Sequence, residues 1–184
     1  MEVIKHAIEG LVELRPIIFH DDRGYFFESF HSEILQNANV PIAFVQDNQS
    51  FSKKGVIRGL HFQREPYGQG KLVRVLSGRV LDVALDIRPN SPTFGQHMSC
   101  ILDAKMNNSL FIPTGFAHGF AALEDSVFFY KCSSFYHKEA EMGIRWNDTR
   151  LSIDWMVEKP IISEKDELLP EYMEVVKTLF PEKC

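Results

Sequence analysis

Two short stretches carry polar side chains where their neighbours are apolar. The first is Gly55-Val56-Ile57-Arg58-Gly59-Leu60-His61-Phe62-Gln63, a strand-like run holding a guanidinium and an imidazole. Burying such a group without a partner costs about 1–3 kcal/mol, so each must be solvated or employed. Arg58 and His61 would face opposite sides of a regular strand. Gly59 between them invites a bulge that would turn both to one face. Taken alone, the segment is equally readable as an edge strand with both groups in water. The second stretch is Phe111-Ile112-Pro113-Thr114-Gly115-Phe116-Ala117-His118-Gly119-Phe120. Its proline and glycines predict that His118 is pinned in a close-packed turn among aromatic rings, where it could be no more than a satisfied core histidine.

These residues need a scaffold, and the chain supplies short Val-, Ile- and Phe-rich runs separated by turn signals. The runs are 44–48, 56–62, 72–76, 79–87, 109–112 and 127–132, and the turn signals include Asp22-Arg23-Gly24, Ser77-Gly78 and Pro89-Asn90-Ser91-Pro92. Short strands at such spacing predict a β-sandwich or barrel. Ser77-Gly78 is read as a tight hairpin, and 79–87 as a central strand because it is too continuously apolar for one wet face. Helical periodicity is confined to 32–38 and 171–180, where Tyr172, Met173, Val176, Leu179 and Phe180 share a stripe. The expected architecture is mainly β, one domain over residues 1–184, with a few peripheral helices.

Composition narrows the function classes. The 184 residues are 45% hydrophobic and 24% charged, which excludes disorder, and the formal charge of −5 argues against a general nucleic-acid binder. No apolar run approaches the roughly 18–20 residues that span a bilayer. Residues 1–6 lack the apolar stretch of a secretion signal, and Cys100, Cys132 and Cys184 show no paired spacing, so buried or incidental thiols in a reducing cytoplasm are expected.

Pro113-x-Gly115-x-x-His118 resembles the second signature of the cupin barrels, and Gly59 to Gln63 stands where the first would be. Metal-binding cupins use His-x-His there; this chain has His61-Phe62-Gln63, and an amide is a poor ligand, so neither a metal nor another cofactor is expected. The resemblance then becomes specific. Asp22 to Glu28, Phe44 to Asn48, Gly55 to Gln63, Gly70 to Val75, Ile112 to Phe120, Tyr130-Lys131, Ile144 to Asp148 and Ser163 to Asp166 occur in order and at similar spacing in the dTDP-4-dehydrorhamnose 3,5-epimerase family. That resemblance covers roughly residues 15–170 and implies a cupin-type jelly roll acting on a dTDP-4-keto-6-deoxy sugar as a homodimer. Carried over residue by residue, it implies that His61 is the catalytic base, Asp166 its partner, and Tyr130 the acid on the opposite face. Arg58 and Lys71 would surround the sugar and its 4-keto oxygen. Arg23, Glu28, Gln46, Asp47, Asn48, His118, Glu141 and Lys165 would line the nucleotide-sugar site. Phe62 and Phe51 depart from the family pattern, which commonly has Tyr and a basic residue there.

The implied chemistry suits these residue types. Inverting a carbon beside a ketone needs a base for the α-proton, an acid on the other face, and charge to hold the enolate between the two steps. Neutral His, with a pKa of about 6.5, suits the first task, and Tyr, near 10, stays protonated for the second. A cation at O4 would hold the enolate. Taken singly, Tyr130 is as readily a core aromatic, Asp166 a helix cap in Ser163-x-x-Asp166, Lys71 and Arg74 a wet strand face, and Glu141 a surface acid. Three other functions stay open beside the 3,5-epimerase: a single-carbon epimerase or keto-isomerase on a related sugar, a silent nucleotide-sugar-binding cupin, and a metal-dependent cupin oxygenase. The enzyme reading requires Arg58, His61, Lys71, His118 and Tyr130 to converge in one cavity. Residues 23–30, with Tyr25, Phe26, Phe27 and Phe30, are expected to join a dimer interface by strand pairing.

Overall fold

A computed structural model of the chain describes residues 1–40 and 43–181. Its strands are β1 (Glu2–Lys5), β2 (Val12–Arg15), β3 (Phe19–Asp21), β4 (Gly24–Phe26), β5 (Gln46–Ser52), β6 (Ile57–Gln63) and β7 (Lys71–Ser77). They continue with β8 (Arg79–Asp86), β9 (His97–Asp103), β10 (Ser109–Ile112), β11 (Phe116–Ala122), β12 (Ser126–Cys132) and β13 (Glu141–Gly143). The helices α1 (Ser32–Asn37), α2 (Glu164–Glu167) and α3 (Tyr172–Leu179) lie outside the strands. One sheet runs β1-β2-β10-β7-β12-β5 and the other β13-β6-β11-β8-β9, all antiparallel, while β3 and β4 pair with each other. This is the mainly β sandwich expected from the strand spacing, of the cupin type that the resemblance implies.

The core has two layers because β8 is buried on both faces. Val80 and Ala84 pack between the sheets with Val73, Val75, Phe120 and Phe128. Leu81, Val83 and Leu85 pack outward against Ile144, Trp155 and the α3 residues Tyr172, Val175 and Val176. A strand covered on both sides needs no alternation, which explains the long apolar run. The stripe on α3 is therefore spent on the outer layer, and a capping box between Glu171 and Glu174 starts the helix.

Two local expectations are corrected. Ser77-Gly78 does not close a hairpin: β7 pairs with β10 and β12, and β8 with β9 and β11, so the chain changes sheets at this corner. Gly78 has φ +78°, and a Cβ there would meet Asp125 O at 2.3 Å, so glycine is required by the crossing rather than by a two-residue turn. His118 lies in the middle of β11, not in a turn. The small residues and glycine around it, Ala117 and Gly119, masked the strand by lowering its β-propensity.

The bulge expected at Gly59 is present. His61 sits opposite His118 and Arg58 opposite Phe120, so β6 spends one more residue than β11 over the same span. Arg58 and His61 consequently point to the same side, between the sheets. Because β6 lies between β13 and β11, the edge-strand alternative falls. Gly59 adopts φ +128°, and a Cβ would lie 2.5 Å from Gly119 Cα and 2.9 Å from His118 O, both backbone atoms that cannot swing away. Gly24 has nearly the same φ, +132°, with nothing within 4 Å of its added Cβ. Gly24→Ala should therefore cost only backbone strain, about 1–3 kcal/mol, and Gly59→Ala clearly more. Urea denaturation of both variants measures this, and equal losses would show that the Gly59–Gly119 contact is not the constraint.

Candidate active site

The facing walls of the sandwich supply the polar groups. From the β6–β11 side come Arg58, His61 and His118; from the β7–β12–β5 side come Lys71, Tyr130, Gln46 and Asn48. On the second wall Lys71 is the register partner of Cys132, Tyr130 of Val73, and Asn48 of Tyr130. The His118 ring lies 6.1 Å from that of Phe128, which joins the two walls at the floor, and Phe128 lies 5.9 Å from Tyr130. All five residues expected to converge lie on the faces that the two sheets turn toward each other.

His61 and Asp166 form a close pair at the site, with Nε2 to Oδ1 at 2.7 Å. Asp166 is buried, and it arrives through α2, whose N-cap Ser163 accepts the Asp166 N–H at 3.1 Å. Ser163-x-x-Asp166 is thus both a helix cap and a means of aiming the third residue. Burial alone would raise the Asp166 pKa, but hydrogen bonding and charge from His61, with the Gly59 N–H and Ser163 Oγ, outweigh it and hold the carboxyl below its ordinary value. The carboxylate is satisfied by the tautomer that donates from His61 Nε2, leaving Nδ1 as the nitrogen with a lone pair.

On the other wall, burial raises the Tyr130 phenol above its ordinary value, so it stays protonated at neutral pH and can donate. Lys71 is closely surrounded although part of its surface opens to the cavity; its Nζ is 6.0 Å from the Tyr130 ring centroid. Burial pulls its ammonium below the ordinary value, against the opposing pull of Cys132, Asp82 and Glu141. Arg58 is fixed at the rim by Nε to Ser52 Oγ at 3.0 Å and Nη2 to Phe51 O at 3.1 Å. Lys71 and Arg74 do not form a shared wet face, because they point to opposite sides of β7. Arg74 is half-buried, 5.4 Å from the Phe27 ring centroid on the outer side.

The other residues named from the sequence divide by strand alternation. Gln46 and Asn48 point inward and are bonded to each other at 3.1 Å, and Asn48 Nδ2 reaches Cys132 Sγ at 3.6 Å. Asp47 lies on the outer face, paired to Lys131 at 2.9 Å, so its side chain is not brought into the cavity. Glu141 is no plain surface acid: it accepts from Lys165 Nζ at 2.7 Å and Tyr136 Oη at 2.9 Å. Burial would raise its pKa, but Lys165 and Tyr136 together pull it below the ordinary value. Arg23 sits in the β3–β4 turn paired to Asp21 at 2.6 Å, and Glu28 follows in an exposed segment. Among the described residues, neither is bonded to a cavity side chain.

Gln63 is a brace. Its amide donates to Tyr67 O at 2.7 Å and Phe135 O at 3.2 Å and accepts from His137 N at 2.6 Å. Among the described residues, no group of three or more His, Cys, Asp or Glu side chains is placed to hold a metal ion. Cys100 and Cys132 are buried free thiols, while Cys184 lies outside the described residues. Two residues were missed from the sequence. Tyr136 offered no signal beyond being aromatic. Asp82 did: it is a charge within the buried run 79–87, and it is bonded to His118 Nε2 at 2.8 Å.

The relatives agree with the geometry. A protein of Escherichia coli described as dTDP-4-dehydrorhamnose 3,5-epimerase is 48% identical over 180 residues, covering 96% of this chain and 97% of that one. The crystal structure of a dTDP-6-deoxy-D-glucose-3,5-epimerase from Legionella pneumophila, in complex with dTDP-4-keto-L-rhamnose, superposes with a TM-score of 0.86 at 44% identity, covering 93% and 98% of the two chains. A 3′-monoepimerase from Streptomyces bikiniensis, in complex with dTDP-quinovose, superposes at 0.87 with 32% identity, covering 95% and 89%. Fold and relatives together make the chain a cupin-type epimerase of nucleotide sugars. More narrowly, it belongs to the dTDP-4-dehydrorhamnose 3,5-epimerase family, whose model matches residues 5–174.

The depressed Asp166 pKa has a signed consequence. Because its folded pKa lies below the ordinary 3.8, its contribution to stability is complete well above that value and is lost as pH falls through the folded pKa. Asp166→Asn should be less stable than wild type at about pH 5 and above, and the margin should close as pH falls through the folded pKa. Urea midpoints measured from pH 7 to pH 3 check this; a margin that persisted at pH 3 would remove ionised Asp166 as its cause.

Proposed function

We propose that His61 is the general base and Tyr130 the general acid of a 3,5-epimerase acting on a dTDP-4-keto-6-deoxyhexose. The observation that carries this is their placement on facing walls, with His61 alone of the two coupled to a buried carboxylate at 2.7 Å. His61 Nδ1 takes the proton from a carbon next to the C4 ketone, and the electron pair left behind forms an enolate with its charge on O4. Lys71 and Arg58 stabilise that oxygen, where charge develops. Asp166 holds the His61 tautomer and offsets the charge of the imidazolium that forms. Tyr130 then delivers a proton to the opposite face of the same carbon. C3 and C5 both flank the ketone, so one enolate-stabilising centre can serve both.

A single-carbon epimerase is the second reading, and the Streptomyces bikiniensis relative favours keeping it, since a monoepimerase uses the same fold. Turnover of dTDP-4-keto-6-deoxyglucose in D₂O separates the two: deuterium at C3 and C5 is expected, and deuterium at C3 alone would establish the second reading.

The nucleotide side of the site is completed, on this proposal, by a second copy of the chain. Arg23 and Glu28 are family-matched binding residues, yet they are carried by the β3–β4 hairpin and the segment after it, outside this cavity. Phe19, Tyr25 and Phe26 are 61%, 63% and 67% exposed there, an apolar edge that a monomer would leave in water. Pairing of the hairpin with a second copy would cover the rings and deliver the two charges. The described residues hold no helix long and apolar enough to cross a membrane, and we place the enzyme in the cytoplasm, where its thiols would stay reduced.

Two measurements test these assignments. His61→Asn should abolish both turnover and C3–H exchange, since no enolate forms, whereas Tyr130→Phe should lose about 10²–10⁴-fold of epimerisation while retaining measurable exchange. Wild-type turnover by Tyr130→Phe, or wild-type exchange by His61→Asn, would overturn the respective role. Light scattering at micromolar concentration should show a dimer; a stable monomer would contradict the hairpin proposal.

A further inference from the structure

The cavity contains a second histidine–carboxylate pair that the epimerisation steps above do not use. Asp82 projects from β8 between the sheets, in line with Val80 and Ala84, and is 0% exposed. Its Oδ2 is 2.8 Å from His118 Nε2, while its Oδ1 is buried with no hydrogen-bond partner among the described residues. A fully buried carboxylate with one oxygen unengaged is costly unless positive charge lies close by. The facing wall provides one, the ammonium of Lys71. The charged and titratable groups acting on Lys71 come from every side: Asp82 on β8, Cys132 on β12, Glu141 on β13 and His118 on β11, with the Tyr130 ring of β12 at 6.0 Å.

We propose that Asp82 is a positioning residue for the epimerisation, holding the His118 ring with Nδ1 toward the sugar and serving as the buried counter-charge that keeps Lys71 an ammonium beside the 4-keto oxygen. The inference rests on the proposed role of Lys71 at O4. Its logic is that an enolate is stabilised by a cation and not by a neutral amine, and desolvation favours the amine. Glu141 alone is a weaker counter-charge, because its carboxylate is already engaged by Lys165 and Tyr136. With Nε2–H committed to Asp82, His118 stays neutral and presents an acceptor at Nδ1; burial holds its pKa below the ordinary value despite Asp82. A neutral His118 adds no positive charge to compete with Lys71.

The test is the pH dependence of kcat for Asp82→Asn, Asp82→Ser and Asp82→Glu. Both neutral variants should move the alkaline limb down by about one pH unit or more, because Lys71 then loses its proton earlier, while Asp82→Glu keeps the limb near its wild-type position. In a Lys71→Arg background, where the cation does not titrate, Asp82→Asn should leave the limb unmoved. A limb unchanged in both neutral variants, with only amplitude or stability lost, would make Asp82 structural and overturn the proposal. Should neither neutral variant fold, ¹⁵N NMR of the wild-type histidines, with His118→Gln for assignment, decides it. A neutral Nε2–H tautomer at His118 from pH 6 to 9 supports the proposal, and an Nδ1–H tautomer or an imidazolium overturns it. A wild-type protein that neither epimerises nor exchanges C3–H would instead sink the underlying reading, and this proposal with it.

Discussion

Gly59 and Gly119 approach until their backbones touch, and the chemistry of the site depends on that contact. A Cβ on Gly119 would lie 2.7 Å from Arg58 O, just as one on Gly59 would strike Gly119 Cα. With both positions bare, β6 can gain one residue on β11. Without the gain, either Arg58 or His61 would be turned into the outer layer beside Leu60 and Phe62. The same distortion points the Gly59 N–H toward Asp166 Oδ2, at 3.4 Å. One backbone irregularity therefore brings imidazole and guanidinium to one face and helps hold the carboxylate that orients the imidazole. Bulges at functional sites commonly re-aim side chains in this way.

The sheets supply the walls, and elements outside them supply the correction of angle. His61 is on a strand, but its partner comes from a four-residue helix after a long excursion of chain, and Ser163 fixes that helix at its first turn. A dyad built within one sheet would be limited to strand spacing and pleat. Drawing the carboxylate from α2 allows a short bond approached from outside the strand plane, and the outer hydrophobic layer around Trp155 and α3 keeps that part of the chain against the sheet. Packing energy in the outer layer is thus converted into orientation of one imidazole.

Much of this was legible in the sequence where residue type and place disagreed. Arg58 and His61 stood out as charges in an apolar run, and Gly59 explained how both could face inward. Asp166 and its cap were readable together once a partner for His61 was sought. The strands β6, β7, β8, β10 and β12 were marked by dense branched and aromatic residues, whereas β11 was hidden by glycine and alanine, and β1 to β4 are too short to show a period. The turn at Ser77-Gly78 looked like a hairpin because local sequence records that the chain bends, not which sheet it enters next. Asp47 shares one sequence motif with Gln46 and Asn48, although alternation along a strand separates it from both. Asp82 is hidden for the opposite reason: it lies in a run dominated by Val, Leu and Ala whose apolar character masks a residue that departs from it.

The two histidines differ in setting because their carboxylates differ in surroundings. Asp166 accepts from His61 and from the Gly59 N–H and, through its own N–H, is tied to Ser163, so several groups share the support of its charge. His61 keeps 30% of its side chain exposed, on the side of the strand that faces the opposite sheet. Asp82 has one hydrogen bond and no solvent, so the negative charge it carries must be matched by charge across the cavity. His118, beneath Phe128 and with 8% side-chain exposure, is poorly placed to ionise, and Lys71 is the cation that faces it. A dyad near the opening can cycle a proton, whereas a dyad at the floor can only set a fixed field. An enzyme that removes and returns protons around an enolate has use for one of each, and adjacent strands of one sheet supply the two histidines, while α2 and β8 supply their carboxylates.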